Sequence, residues 1–301
     1  EIGDARAINP LINQLESKFE NITEEWELIQ VIITAIAKIG ADAIEPVSYK
    51  LNDDRDFMRR CAVKILGQIK DERVVTFLIA SLNDEGHLIM NEAISGLKNM
   101  GIFAVNELIN KLEDNNWWVF RSVVELLQEI GDSRAINPLI EYLYKQDKFP
   151  DNQYYYKIIA KALGEIGLPA IDSLILKLED ENLDIRESIA IALGMIGNKR
   201  ATIPLISQLN SKGIAVREAI ITALGKIGDN LAVPAIILKL EDKNYSTRRL
   251  AAEALGKMGD KQAVEPLLST LNDIDGDVVI SVISALGQIG DSRALDFLIP
   301  L

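Results

Sequence analysis

Cysteine and histidine are almost absent from the sequence, which contains one of each, Cys61 and His87, in 301 residues. A single cysteine excludes an intrachain disulfide framework, and one residue of each type cannot build the His/Cys clusters that bind zinc or iron. A catalytic pair formed by Cys61 and His87 is the alternative to a packed thiol and a surface imidazole. We predict no metal site, no cofactor and no catalytic residue, and we favour a role without catalysis.

Basic residues and long apolar runs are also scarce. The chain has 32 Lys and Arg against 45 Asp and Glu, a net charge of −13. Affinity for phosphate polymers depends on clustered basic side chains, so we predict neither a nucleic-acid partner nor an anionic membrane partner. The apolar runs are too short and too interrupted to span a bilayer, and no signal peptide is seen. These features predict a cytoplasmic location.

A repeated motif accounts for nearly the whole chain, and the stretch from Gly197 to Gly228 is representative of it. Each copy ends in an ALGxIG-like string. The closing positions are Gly3, Gly40, Lys70, Gly101, Gly131, Gly167, Gly197, Gly228, Gly259 and Gly290. The intervals are 37, 30, 31, 30, 36, 30, 31, 31 and 31 residues, which define nine tandem units.

Each unit encodes two amphipathic helices. In the representative unit, Ala201, Leu205 and Leu209 mark the apolar face of the first helix, and Val216 and Ile220 begin that of the second. Helices of roughly 12 to 15 residues are marginal in isolation. Stacking of successive units closes a continuous core, so the 30-residue period predicts an all-α solenoid.

Glycine recurs at two places in the unit. The closing glycine suits a residue with left-handed backbone just after the second helix, and the Asp that often follows it suits a cap of the next helix. A second glycine lies inside the second helix, where it costs about 1 kcal/mol relative to Ala. Its recurrence predicts that neighbouring helices approach too closely for a Cβ. The residues are Gly67, Gly164, Gly194, Gly225, Gly256 and Gly287.

Several strings carry a family resemblance, among them IGDARAINPLINQL, LDIRESIAIALGMIG and YSTRRLAAEALGKMGDKQAVEPLL. They resemble HEAT-like repeats of the phycobilisome-lyase type over the whole chain. The resemblance implies a right-handed superhelix with the second helices on the concave side. It also implies an Asp and an Arg six residues apart that tie neighbouring units together, which we call the Arg ladder. The pairs with this spacing are Asp53 with Arg59, Asp180 with Arg186 and Asp242 with Arg248. The Arg position is filled otherwise by Ile29, Met90, Phe120, Tyr156 and Val279.

The repeat predicts one domain over residues 1–301. The chain opens with the tail of a second helix and closes with a first helix, so we expect an excerpt of a longer array. Two units are long between their helices, at Glu16–Glu25 and Tyr144–Gln153, where the insertions predict edge loops or specificity loops.

A stripe of large apolar side chains is the candidate site. Thirteen residues before the closing position, four successive units carry Phe57, Leu88, Trp118 and Tyr154, with Arg60 and Arg121 one turn further along as polar partners. Exposed aromatics rimmed by charge are typical of protein-binding surfaces. The alternative is that the central aromatic rings fill gaps left by missing ladder arginines, which suits Phe120 and Tyr156 better than Trp118.

We therefore predict a protein-interaction scaffold that binds a peptide or helix of a protein partner on its concave face. The rival function comes from the resemblance and is a bilin lyase or isomerase subunit that holds a linear tetrapyrrole on a phycobiliprotein. HEAT-repeat metal hydroxylases carry His-Glu pairs, whereas Leu88 follows His87 here. HEAT-repeat DNA glycosylases need a basic track, whereas basic and acidic residues interleave on these second helices.

Overall fold

The computed structural model describes residues 3–18, 25–145, 149 and 152–294 and contains eighteen α-helices and no strand in those ranges. The first helices of the pairs are α1 (Ile8–Ser17), α3 (Ile44–Ser48), α5 (Val74–Ser81), α7 (Val105–Lys111), α9 (Ile136–Tyr142), α11 (Ile171–Ile175), α13 (Thr202–Ser207), α15 (Val233–Ile237) and α17 (Val264–Ser269). The second helices are α2 (Trp26–Ile39), α4 (Asp56–Leu66), α6 (His87–Met100), α8 (Trp117–Ile130), α10 (Asn152–Ile166), α12 (Leu183–Ile196), α14 (Ile214–Ile227), α16 (Tyr245–Met258) and α18 (Gly276–Ile289).

The helix pairs form two compact units, Glu1–Ala135 (unit 1) and Ile136–Leu301 (unit 2). Within unit 1, α4 packs between α2 and α6, and α8 packs on α6. Within unit 2, α10, α12, α14, α16 and α18 pack on one another in order. Each first helix contacts the second helix of its own pair. The all-α solenoid is confirmed, whereas a single domain over 1–301 stays a prediction.

The first helices are shorter than predicted. They have 5 to 10 residues, because most of them open or close in a 3₁₀ turn that the apolar periodicity does not distinguish from α-helix. The second helices have 14 residues in most pairs. Both predicted insertions lie between the helices of a pair, and their residues 19–24, 146–148, 150 and 151 lie outside the described ranges.

Backbone geometry at the closing positions agrees with the sequence. Every closing glycine has a positive φ, and no other residue in the described ranges does. Gly131 is left-handed, at φ 69° and ψ 20°, and the Asp132 carboxylate then accepts from Arg134 N–H at 2.9 Å. Lys70 replaces the glycine in one unit, and there α4 ends early at Leu66, since a lysine is strained in that conformation.

The glycines inside the second helices mark close helix contacts. A Cβ on Gly194 would lie 2.7 Å from Ala223 Cα, and one on Gly67 would lie 2.8 Å from Gly96 Cα. A Cβ on Gly164, Gly225 or Gly256 would be similarly crowded, but a Cβ on Gly287 would meet no neighbouring atom within 4 Å. The prediction of close approach is confirmed at five of the six positions.

The Arg ladder links repeats in a way that the six-residue spacing only partly describes. Arg59 Nη1 donates to the main-chain oxygen of Asp53 at 2.9 Å, while its Nε donates to the carboxylate of Asp84, in the next repeat, at 2.8 Å. Arg248 contacts Asp242 O and the Asp273 carboxylate in the same way. The arginine therefore anchors its own loop and the loop of the following repeat.

The predicted link between Asp180 and Arg186 is incomplete. Arg186 has Ser211 at the place, 25 residues on, where Arg59 and Arg248 have an aspartate. Its Nη1 reaches Gln208 Oε1 at 3.5 Å, and its buried Nε has no hydrogen-bond partner in the described ranges. Asp180 instead accepts from the Tyr144 hydroxyl at 2.5 Å. The six-residue spacing of Asp180 and Arg186 was therefore the wrong criterion for a link between repeats. The carboxylate that accepts from the arginine belongs to the next repeat, and Arg186 has none there.

Candidate protein-binding surface

Two large apolar side chains are exposed on adjacent second helices of unit 1. Leu88 on α6 is 57% exposed and Trp118 on α8 is 61% exposed, and α6 packs on α8. Both follow the first residue of a helix whose start is fixed locally. The Asn116 side chain accepts from Trp118 N–H at 2.9 Å, and Asp84 accepts from Gly86 N–H at 2.8 Å. The Asn116 cap and the Asp84 hydrogen bond fix the backbone at the two helix starts.

Tyr154 belongs to α10 in unit 2 and is 60% exposed. Its exposure agrees with the predicted role, whereas the next two residues, Tyr155 and Tyr156, are buried. Because Tyr154 and Trp118 belong to different units, the continuous stripe of four residues stays a prediction.

Phe57 departs from the prediction of an exposed ring. It occupies the same position of the repeat as Leu88 and Trp118, yet only 8% of it is exposed. Its helix α4 is enclosed by α2, α3, α5 and α6, so the ring is covered within unit 1. Phe57 is therefore a core residue and does not present a surface to a partner.

Arg60 is already engaged in an internal cluster. Its guanidinium lies over the Trp26 ring at 5.1 Å, with the Lys64 ammonium at 5.6 Å from the same ring. Arg60 Nη2 also bonds Glu92 Oε1 at 2.9 Å, and Lys64 Nζ lies 3.6 Å from that oxygen. This cluster was not predicted from the sequence, although Arg60 and Lys64 lie one turn apart on α4 and Glu92 lies on the neighbouring helix α6.

Arg121 differs from Arg60 because it stays accessible. It pairs with Glu125 on the same helix at 2.8 Å, and about half of each side chain is exposed (47% and 49%). Exposed pairs of this kind contribute little, about 0.3–0.5 kcal/mol. The guanidinium can therefore exchange its partner at small cost, one helical turn from Trp118.

The other aromatic residues of this region belong to the core. Phe120, Tyr155 and Tyr156 are buried, and Phe120 stacks with Trp117 at 6.1 Å. Phe120 and Tyr156 occupy the Arg position of the ladder, so rings do fill those gaps, as the alternative interpretation stated. Trp118 and Tyr154 are not part of that packing.

The Cys61 and His87 side chains differ in environment. Cys61 is buried, and burial raises the pKa of its thiol to about 12 against the smaller opposing effects of Arg60 and Lys64. His87 is exposed at the start of α6. A thiol with that pKa is not a nucleophile at neutral pH, which favours the packed-thiol interpretation.

Neither a cluster of metal-binding side chains nor a membrane-spanning helix is found in the described ranges. No three His, Cys, Asp or Glu side chains there come together in a way that would hold a metal ion. None of the helices there has the length and apolar character that a membrane crossing requires. The absence of a cofactor, of a nucleic-acid partner and of a membrane partner, and the cytoplasmic location, stay predictions.

One curated relative shares sequence with part of the chain. The phycocyanobilin lyase subunit alpha of Picosynechococcus sp. is 32% identical over 118 residues, which cover 34% of this chain and 44% of the relative. The chain thus matches less than half of that relative's length.

Two solved structures with similar architecture belong to larger proteins. Kap121p bound to Nup53p superposes with a TM-score of 0.60 at 12% identity, over 97% of this chain and 39% of Kap121p. Kap95p in its complex with RanGDP gives a TM-score of 0.57 at 12% identity, over 94% of this chain and 46% of Kap95p. At such identities the likeness concerns the fold alone.

A family model gives the assignment. The model for HEAT repeats matches residues 8–98, 171–238 and 233–301, more than half of the chain. The predicted pairs of helices and closing glycines are present in the structure. The chain therefore belongs to the HEAT-repeat family.

Proposed function

We propose that the protein is an interaction scaffold that binds a peptide or a helix of a protein partner across the second helices of unit 1. Leu88, Trp118 and Arg121 form the centre of this surface. The observation that carries the proposal is Trp118, which is 61% exposed while Phe120 on the same helix is fully buried. A large exposed ring that the fold does not use is available to a partner.

The residue types suit a binding hot spot. Trp, Tyr and Arg dominate hot spots, where truncation costs about 2 kcal/mol or more. Second helices packed about 10 Å apart would set Leu88 and Trp118 within reach of one short peptide or one helix. Arg60 has a supporting role, because its stack on Trp26 and its bond to Glu92 keep the neighbouring surface in one conformation.

Comparison with other solenoids supports the proposal by analogy. Kap121p is bound to Nup53p and Kap95p binds RanGDP in the structures that this chain resembles. Such a likeness supports binding of a protein in general, and it leaves the surface and the partner to the residues of this chain.

The test is a comparison of two aromatic variants. Wild type, Trp118→Ala and Tyr49→Ala would be used to capture partners from native lysate, and the affinity for each identified partner would then be measured by calorimetry. Tyr49 is a matched control, since it is an exposed aromatic of unit 1 that follows the first helix α3. We expect Trp118→Ala to weaken binding about 30-fold, roughly 2 kcal/mol. Equal affinities of Trp118→Ala and Tyr49→Ala would refute the surface.

A second candidate function is a bilin-handling subunit that holds a linear tetrapyrrole for a phycobiliprotein. The partial match to a phycocyanobilin lyase subunit favours it. Exposed rings such as Trp118 and Tyr154 could stack on a tetrapyrrole. Absorption spectra of added phycocyanobilin would distinguish the two functions. A bilin-handling protein shifts the visible band and loses the shift in Trp118→Ala, whereas a peptide scaffold leaves the band unchanged.

A further inference from the structure

A groove crosses three successive second helices of unit 2. It lies over α12, α14 and α16 and encloses about 260 Å³. Its lining includes Glu187, Gly194, Ala215, Glu218, Ala219 and Lys226. We call it the α14 groove.

Small residues on α14 create the groove. Ala215 stands at the position of the repeat that Leu88 and Trp118 occupy in unit 1, and Ala219 stands four residues further. Beneath them the helices are in close contact, since a Cβ on Gly194 would lie 2.7 Å from Ala223 Cα. The floor is therefore closely packed, and the groove is open over the small side chains of Ala215 and Ala219.

Two carboxylates on the groove form no direct ion pair in the described ranges, although Lys226 also lines the groove and Lys157 acts on Glu187 from nearby. Glu187 and Glu218 are half-buried, and neither forms a hydrogen bond or ion pair with a described residue. Burial raises the pKa of Glu187, and the nearby charges of Asp184 and Glu218 raise it further against the opposing effect of Lys157. Some carboxylates elsewhere on the second helices are paired, such as Glu253 with Arg249. A desolvated carboxylate without a partner is stabilised by an incoming cation.

We propose that the α14 groove docks a partner segment that places an apolar side chain over Ala215 and Ala219 and a Lys or Arg side chain between Glu187 and Glu218. This site goes beyond the proposed function, because it lies in unit 2 and involves none of the residues of the unit 1 surface. Charge complementarity defines the occupant as a basic amphipathic segment. The apolar contact supplies burial, and the cation neutralises the two carboxylates.

The dimensions favour side chains of a polypeptide over a compact ligand. The volume of about 260 Å³ is below the roughly 300–1,000 Å³ of small-molecule sites. Three helices packed about 10 Å apart span roughly 20 Å. A partner helix of about 14 residues has that length.

The test uses the full chain and two fluorescein-labelled, alanine-based helical peptides of about 14 residues. One peptide carries Leu and Arg at i, i+4 along one face, and the other carries Leu and Glu. Fluorescence anisotropy would measure both affinities at low and at high salt. We expect the Leu–Arg peptide to bind at least about tenfold more tightly than the Leu–Glu peptide, and its affinity to fall with salt.

Two charge-matched variants locate the site. The double variant Glu187→Gln and Glu218→Gln should bind the Leu–Arg peptide about tenfold more weakly than wild type does. Glu165→Gln with Glu241→Gln removes two exposed carboxylates of unit 2 outside the groove and should have little effect. Ala219→Leu fills the groove and should also weaken binding. If that variant misfolds by circular dichroism, the isosteric Gln pair still decides the question.

Three results would overturn the proposal. They are no binding of the Leu–Arg peptide by wild type, equal binding of both peptides, and equal effects of the two charge-matched variants. Trp118→Ala should leave this binding unchanged. Failure of the α14 groove and failure of the unit 1 surface are therefore distinguishable.

Discussion

Arg248 donates from Nε to the Asp273 carboxylate of the following repeat at 2.6 Å. The two side chains are largely buried, at 13% and 8% exposure. The hydrogen bond from Arg248 holds the pKa of Asp273 below its usual range. Arg248 also donates from Nη1 to Asp242 O at 2.9 Å. One guanidinium therefore joins two inter-helix loops.

Arg248→Ala should lower the free energy of unfolding by about 3 kcal/mol, because it leaves the Asp273 charge buried without its partner. Urea denaturation followed by circular dichroism would measure the change. Arg249→Ala is the matched control, since Arg249 pairs with Glu253 along the same helix and is about one-third exposed. Its cost should stay below about 0.5 kcal/mol. Equal costs for Arg248→Ala and Arg249→Ala would contradict the ladder's structural role.

The interior glycines give a prediction with opposite signs. In Gly194→Ala the new Cβ meets Ala223 Cα at 2.7 Å, so the two helices must separate. We expect a loss of about 2 kcal/mol. A Cβ on Gly287 would meet no neighbouring atom within 4 Å. Gly287→Ala should therefore raise the free energy of unfolding by about 0.5–1 kcal/mol through helix propensity. Thermal melts of both variants would check this, and stabilisation by Gly194→Ala would exclude the steric account.

Much of the fold was predictable because each repeat places glycine where the backbone needs a positive φ. Gly131, Gly197 and Gly228 are left-handed, with ψ of 20°, 21° and 31°, and each precedes an Asp or Asn. Gly40 and Gly167, which precede Ala and Leu, keep a positive φ but have ψ near −140°. A carboxylate or amide that caps the next turn favours the left-handed form of the glycine. The residue after the closing glycine therefore predicts the backbone conformation of that glycine.

The candidate site was less predictable, because equal positions in the repeat are not equally exposed. Phe57 and Trp118 share one position, but one is 8% and the other 61% exposed. Periodicity gives the face of a helix and does not report how neighbouring repeats cover it. The Arg60 cluster and the α14 groove likewise depend on side chains of adjacent helices, whose combination a single repeat does not show.

This difference predicts contrasting effects on stability. Phe57→Ala removes a buried ring and should cost about 3–5 kcal/mol. Trp118→Ala removes an exposed ring and should stay within about 0.5 kcal/mol. Urea denaturation of both variants would measure the contrast. A large loss in Trp118→Ala would make that ring a packing residue and would remove the main support for the unit 1 surface.

The buried thiol offers a probe of unit 1 in solution. Cys61 is 3% exposed and lies on α4, and burial raises its pKa to about 12. The reactive thiolate is therefore rare at pH 8, and the reagent also has no access. Iodoacetamide should label the native chain at least about 100-fold more slowly than the chain unfolded in guanidinium chloride.

A second cysteine makes that comparison internal. Ser95 is exposed on α6, so Ser95→Cys adds an accessible thiol to the same unit. Mass spectrometry of the labelled peptides should find rapid alkylation at position 95 and slow alkylation of Cys61, because only the second thiol must wait for local opening of α4. Similar rates at both positions would mean that Cys61 is accessible and reactive. A Cys61–His87 pair would then regain support, since a nucleophilic cysteine requires thiolate at neutral pH.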